Sequence, residues 1–233
     1  KENFKNIFAI DFNRDGYRDL MISSADNNKY LTLISDTKSN LGKTSERYSS
    51  LSISDIHPFG NEITGRKYLF ESRRTRSVVL GSFSKNGSIN QSGKIKFDGF
   101  PSNLDVSDVD GDGKPAGLIS GYSLDGLYIL REKNSSLKET KIEKGKSFSW
   151  SGFIDLDYDT FPDIAAVNPA TNTLVLYSND HSGNFNTLRS IPLYSDVREC
   201  KSADLNSDGF TDLIFIKNNR FEILLGDSVS SFN

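Results

Sequence analysis

A chain of 233 residues is long enough to bury a sizeable core, and all-β folds of that length are commonly one domain. Its formal net charge of −3 and charged fraction of 25% argue against nucleic acid or an anionic membrane surface as partners. A single cysteine, Cys200, permits no internal disulfide, two histidines argue against a zinc site, and no apolar run reaches membrane-spanning length. No signal peptide precedes Lys1, so the expectation is a soluble mature chain or an excised piece.

In chain order, the first strand signal is the apolar stretch 7–10, followed by Asp11-Phe-Asn13-Arg-Asp15-Gly16-Tyr17-Arg-Asp19 and a second apolar stretch at 20–22. Carboxylate or amide oxygens stand at the first, third, fifth and ninth places of that loop. Gly16, at the sixth, permits the positive φ of a sharp turn. Hard oxygens with no His or Cys among them suit calcium. The pattern returns at Asp108-Val-Asp110-Gly-Asp112-Gly-Lys114-Pro-Ala116, at Asp155-Leu-Asp157-Tyr-Asp159-Thr160-Phe161-Pro-Asp163 and at Asp204-Leu-Asn206-Ser-Asp208-Gly-Phe210-Thr-Asp212. These four loops hold 13 of the 31 acidic residues, so without a cation each is a site of strong mutual repulsion.

The gap of 97 residues between the first two loops is nearly twice the later gaps of 47 and 49, which predicts a degraded repeat between them. Asp55 and Gly60 supply one, with His57, Phe59 and Ile63 where oxygens should stand. The periods become 44, 53, 47 and 49 residues, the length of a four-stranded propeller blade. A third strand is expected at 30–34, 77–80, 127–130, 174–177 and 221–225, and a more polar outer strand at 94–97, 139–142 and 188–191. No amphipathic helix of three turns is expected. The reading is all-β, one propeller domain over residues 1–233, with repeats centred on 11–19, 55–63, 108–116, 155–163 and 204–212.

The succession of apolar strand, D-x-[DN]-x-D-G-x-x-D-L loop and apolar strand resembles the FG-GAP or VCBS repeat of integrin α-subunit-like β-propellers, across essentially the whole chain. The resemblance implies calcium bound by the side chains at places one, three, five and nine and the carbonyl at place seven. The implied sites are Asp11, Asn13, Asp15, the Tyr17 carbonyl and Asp19; Asp155, Asp157, Asp159, the Phe161 carbonyl and Asp163; and Asp204, Asn206, Asp208, the Phe210 carbonyl and Asp212. A fourth, formed by Asp108, Asp110, Asp112 and the Lys114 carbonyl, is expected to be weaker because Ala116 replaces the ninth acid. Thr160 in place of glycine should cost about 1 kcal/mol if the backbone is left-handed there. Blade two should bind no metal. An EF-hand is excluded, because the twelfth residues are Ile22, Ile119, Ala166 and Phe215 rather than a bidentate acid.

Outside the loops the sequence offers less. Cys200 occupies a place held elsewhere by Ile7, Leu51 and Leu104 and reads as a packed core thiol. Trp150 is either a stacking platform at the upper rim or a packing residue. Arg73, Arg74 and Arg76 form a basic turn in blade two, opposite the metal face, either solvated or contacting an anion or partner. His57 and His181 show no partner at catalytic spacing, and no nucleophile elbow, phosphate loop or Cys pair is present. The function expected is a calcium-stabilised binding or adhesion module for an extracellular protein, without enzymatic activity, at a secreted, periplasmic or cell-surface location. A glycan-binding lectin is the alternative, and a polysaccharide lyase a more distant one. A ring closed at five blades is favoured slightly over a part of a larger six- or seven-bladed propeller.

Overall fold

Residues 3–24, 27–36, 40–60, 66–193, 197, 199–217 and 220–227 are described in the computed structural model of the chain. Ile63 and the last residues, 228–233, lie outside them. Short runs rich in β-branched, leucine and aromatic residues, punctuated by Asn, Asp and Gly, form 19 antiparallel strands among the described residues. Blade one contains β1 (Phe4–Ile10), β2 (Asp19–Ser24), β3 (Lys29–Leu33) and β4 (Ser45–Tyr48). Blade two contains β5 (Asp55–Pro58), β6 (Tyr68–Ser72), β7 (Ser77–Phe83) and β8 (Ile89–Lys96). Blade three contains β9 (Phe100–Ser107), β10 (Ala116–Tyr122), β11 (Leu127–Lys133) and β12 (Ser136–Ile142). Blade four contains β13 (Trp150–Ile154), β14 (Asp163–Asn168), β15 (Thr173–Asn179) and β16 (Phe185–Pro192). Blade five contains β17 (Glu199–Ala203), β18 (Asp212–Lys217) and β19 (Arg220–Leu224). Each sheet runs in sequence order, so the fold is an all-β propeller of five blades, the last showing three strands among the described residues.

The chain divides into two compact units, Lys1–Pro101 with Arg131–Lys138, and Ser102–Leu130 with Glu139–Asn233. In the second unit β14 shows why an interior strand of this fold loses the alternation of a half-buried sheet. Ile164 and Ala166 pack with Leu118 and Ile129 of blade three and with Phe148, which bridges to Gly121 of β10, while Ala165 and Val167 pack with Cys200, Leu213 and Phe215 of blade five. Both faces are covered, so every residue of β14 is buried. Truncating a side chain such as Leu174 or Leu213 would cost roughly 2–5 kcal/mol. In the first unit the core lies between blades one and two, where Met21, Ile53, Phe70 and Val79 meet Phe12 and Tyr68.

Blade two departs from the expected register. Its first strand pairs Pro58 with Tyr68, the counterpart of Ile10 with Asp19, Ile154 with Asp163 and Ala203 with Asp212. Phe59 therefore stands at the first acid's place and Tyr68 at the ninth's, and Asp55 is a strand residue rather than the head of a loop centred on 55–63. The misleading signal was the apolar stretch 51–53. Leu51 and Ile53 are buried in the core, but they belong to the segment leading into the blade rather than to a strand. The outer strands β12 and β16 contain the expected segments and extend beyond them, β8 begins earlier than expected and ends at Lys96, one residue short of the expected 94–97, and the polar β4 has no counterpart in the expected set.

Candidate metal centre

Each acidic loop joins the first and second strands of its blade, and its first acid is the hub of the turn. Asp11 accepts the Arg14 N–H through Oδ1 (2.7 Å) and the Gly16 N–H through Oδ2 (3.2 Å). Asp204 repeats this with Ser207 (2.7 Å) and Gly209 (3.0 Å), and Asp108 with Gly111 and Gly113 (2.9 Å each). To aim those N–H groups at one carboxylate, the backbone takes positive φ twice. The sixth place does so at Gly16 (88°), Gly113 (78°), Thr160 (73°) and Gly209 (89°), and the fourth at Arg14 (65°), Gly111 (69°), Tyr158 (63°) and Ser207 (62°). Thr160 is thus held left-handed, the condition under which its strain was expected, and the fourth-place bend was not legible because residues of four kinds occupy it.

The ninth-place acids act as clamps. Asp163, 2% exposed, accepts the Leu156 N–H (3.0 Å) and the Asn179 N–H (2.7 Å). Asp19 takes those of Phe12 (2.8 Å) and Ser35 (2.7 Å), and Asp212 those of Leu205 and Gly226 (2.8 Å each). One carboxylate thereby fixes the start of its loop to the end of the third strand. Burial, with Asp157 and Asp159 near by, pushes the Asp163 carboxyl up to about 6 against the pull of its two N–H donors.

The third place divides the loops into two kinds. In loops one and five the amides of Asn13 and Asn206 donate to Asp15 and Asp208 at 2.8 Å, so one fifth-place oxygen is satisfied from within. In loops three and four the third place is Asp. There Asp108, Asp110 and Asp112, and likewise Asp155, Asp157 and Asp159, each bring one carboxylate oxygen within 4.8 Å of the others and could hold a metal ion. Unit charges about 4 Å apart repel by about 1 kcal/mol per pair even in bulk water, and a divalent cation would reverse that sign.

Fit to a cation is best at loop four. Asp155 Oδ1 is buried and has no hydrogen-bond partner, an arrangement that costs about 1–3 kcal/mol unless something coordinates it. In loops one and three a side-chain cation stands beside the acids. The Arg66 guanidinium lies 3.1 Å from Asp11 Oδ2 and, with the Arg14 and Gly16 N–H groups, outweighs burial to hold that carboxyl below its usual range. The Lys114 ammonium lies 2.8 Å from Asp112 and lowers it likewise.

Successive loops touch in the second unit. Tyr158 packs its ring on Phe210 at 4.5 Å and accepts the Thr211 N–H through its hydroxyl. A Cβ at Gly111 would meet the Phe161 ring at 3.4 Å, and Asn179 donates to the Val109 carbonyl at 2.7 Å. His181, for which the sequence shows no partner at catalytic spacing, hydrogen-bonds Asp159 and stacks on Phe161 at 4.6 Å. Its place 26 residues beyond Asp155 gave no signal, because the third strand of the blade must fold back before the two meet.

The remaining candidates sort by burial. Cys200 is 1% exposed, and its apolar surroundings push the thiol up to about 12, the state of an inert core residue. Trp150 packs against the blade four and five core, and a Cβ on Gly152 would meet its ring at 2.8 Å, so that glycine makes room for the indole. The indole is partly buried there and contributes to that packing. His57 lies 3.1 Å from Asp55 within β5. Arg73, Arg74 and Arg76 are exposed in the β6–β7 turn.

Residues 155–227 match the family model described as FG-GAP-like repeat. No curated protein matches the sequence. A crystal structure of a protein from Lactobacillus plantarum is similar at 13% identity and a TM-score of 0.64, covering 92% of this chain and 66% of that one. BBS1N, solved in complex with ARL6DN, is similar at 8% identity and a TM-score of 0.66, covering 98% of this chain and 67% of that one. The chain thus spans about two thirds of the length of these structures, and at such identities the likeness is one of fold. A propeller of such repeats supports a protein-interaction module in general. Taken together, the repeat match over residues 155–227 and the five-bladed fold fit a β-propeller of the FG-GAP/VCBS type.

Proposed function

We propose that this chain is a calcium-stabilised extracellular propeller that binds a protein partner. The observation that carries the metal is the loop-four cluster, in which three carboxylates converge and Asp155 Oδ1 is buried without a partner. Asp155, Asp157, Asp159, Asp163 and the Phe161 carbonyl would hold the ion there. The two Asp163 oxygens each accept one N–H and so keep a lone pair free. Bound calcium would cancel the repulsion within the loop and lock the Tyr158 and Phe161 contacts with the neighbouring loops. All-oxygen donors suit calcium over zinc, and modules of this kind work at 10⁻⁴ to 10⁻³ M, concentrations found outside the resting cytosol. The similarity to BBS1N, a propeller solved with a protein partner, favours a protein ligand.

The test is capture from an extracellular protein fraction beside a glycan array, each with calcium and with chelator. A protein partner held in calcium, and lost with chelator or in an Asp155→Asn variant, is the expected result. Glycan binding without protein capture would overturn the reading in favour of the lectin alternative.

A further inference from the structure

At the end of blade two that carries the β6–β7 turn, Arg74, Thr75, Arg76, Lys94, Lys96, Phe97 and Asp98 line a polar cleft of about 510 Å³. The sequence separates these residues by 20 positions, and the β7–β8 pairing brings them together. Lys96 lies opposite Ser77, and Lys94 opposite Val79, so both ammonium groups leave β8 on the face away from buried Ile95. Four cations then meet one carboxylate, Asp98, on a chain whose net charge is negative.

The turn that presents the arginines is held firmly. Arg76 N–H donates to the Arg73 carbonyl (3.1 Å), and the Arg76 carbonyl accepts from Phe97 N–H (2.7 Å). The Thr75 hydroxyl lies 2.7 Å from those of both Ser72 and Ser77. The Arg76 guanidinium sits 4.3 Å above the Phe100 ring and donates to the Asp98 carbonyl at 3.0 Å, which leaves further N–H groups to donate elsewhere. A cleft lined by two arginines and two lysines on a firmly held turn is set to receive an anion.

We propose that this cleft binds a sulfate or phosphate ester carried on a sugar-sized body. Tetrahedral oxyanions match a guanidinium fork, and two lysines one strand-repeat apart, about 6.6 Å, can reach further anionic oxygens of the same ligand. The volume falls within the range of small-molecule sites and exceeds what one inorganic phosphate fills.

The test is amide chemical-shift titration of the whole chain with a sulfated heparin disaccharide, glucose 6-phosphate, inorganic phosphate and glucose. Saturable shifts at residues 74–76 and 97 are expected with one or both esters, weaker ones with inorganic phosphate and none with glucose, the shifts fading as salt is raised. Which ester binds more tightly identifies a sulfated glycan or a phosphorylated metabolite as the source. Lys94→Ser with Lys96→Ser should weaken binding at least tenfold, as should Arg74→Ala, while Lys85→Ser at the far end of the same hairpin should not. The proposal falls if no ester shifts these amides, if the variants bind as the parent does, or if inorganic phosphate alone binds as tightly as the esters.

Discussion

Loops three and four place the same three carboxylates in the same turn, yet they are different electrostatic objects. Loop four carries the buried clamp Asp163, and its Asp155 Oδ1 has no hydrogen-bond partner. Loop three has Ala116 at the clamp position and the Lys114 ammonium 2.8 Å from Asp112. A shared acidic pattern can therefore encode one loop with a buried, unpartnered carboxylate oxygen and one that a lysine partly neutralises. The deciding residues are outside the converging triad, at the ninth place and beside it.

The largest expected effect breaks the clamp. Asp163→Ala strands the buried N–H groups of Leu156 and Asn179, and at roughly 1–3 kcal/mol for each the variant should lose about 3 kcal/mol or more. Thermal denaturation checks this, and a melting temperature within a degree or two of the parent would show that the clamp carries no stability.

Blade two, with Phe59 and Tyr68 in place of the first and ninth acids, is the blade expected to be indifferent to metal and so serves as the reference for the comparison. Its Glu71 is 2% exposed, and burial, reinforced by Asp55, pushes the carboxyl from 4.5 to about 7 although the Ser54 hydroxyl donates to it. Between those values the folded state keeps a proton that the unfolded chain releases, so stability falls as pH rises through that window. Glu71→Gln should match the parent near pH 4.5 and exceed it by on the order of 2 kcal/mol at pH 8, with or without calcium. Denaturant melts at the two pH values test this, and an equal difference at both would refute it.

A third, smaller effect separates the two loops directly. Asp155→Asn should weaken calcium binding about tenfold or more, about 1.4 kcal/mol, and Asp112→Asn by less, since Lys114 already offsets Asp112. Calorimetric titration reads both, and the reverse ranking would contradict the account. The smallest effect concerns the turn itself. Thr160 is β-branched at φ 73°, so Thr160→Gly should relieve strain and stabilise loop four by up to about 1 kcal/mol, measurable by denaturant midpoint.

The fold was legible because a propeller repeats itself, and a period near 48 survives the degradation of one repeat. Where the account from sequence slipped, at Asp55, two buried residues outside any strand imitated a strand, and burial rather than pairing was what the apolar pattern recorded. The loop acids were legible as a set, but their division of labour was not. Asp19, Asp163 and Asp212 read in the sequence as ligands alone, and their added role as clamps emerges only when the third strand returns to place Ser35, Asn179 and Gly226 against them. Long-range neighbours such as Arg66 beside Asp11, His181 beside Asp159, and Lys94 and Lys96 beside the arginine turn depend on strand pairing that no local motif encodes.

Chelation followed by return of a single divalent ion tests the central claim most directly. Scanning calorimetry of the whole chain should show a melting temperature several degrees lower in chelator, restored by millimolar calcium and poorly by magnesium, with the calcium-dependent part much reduced in Asp155→Asn. Identical transitions in calcium and in chelator would contradict it.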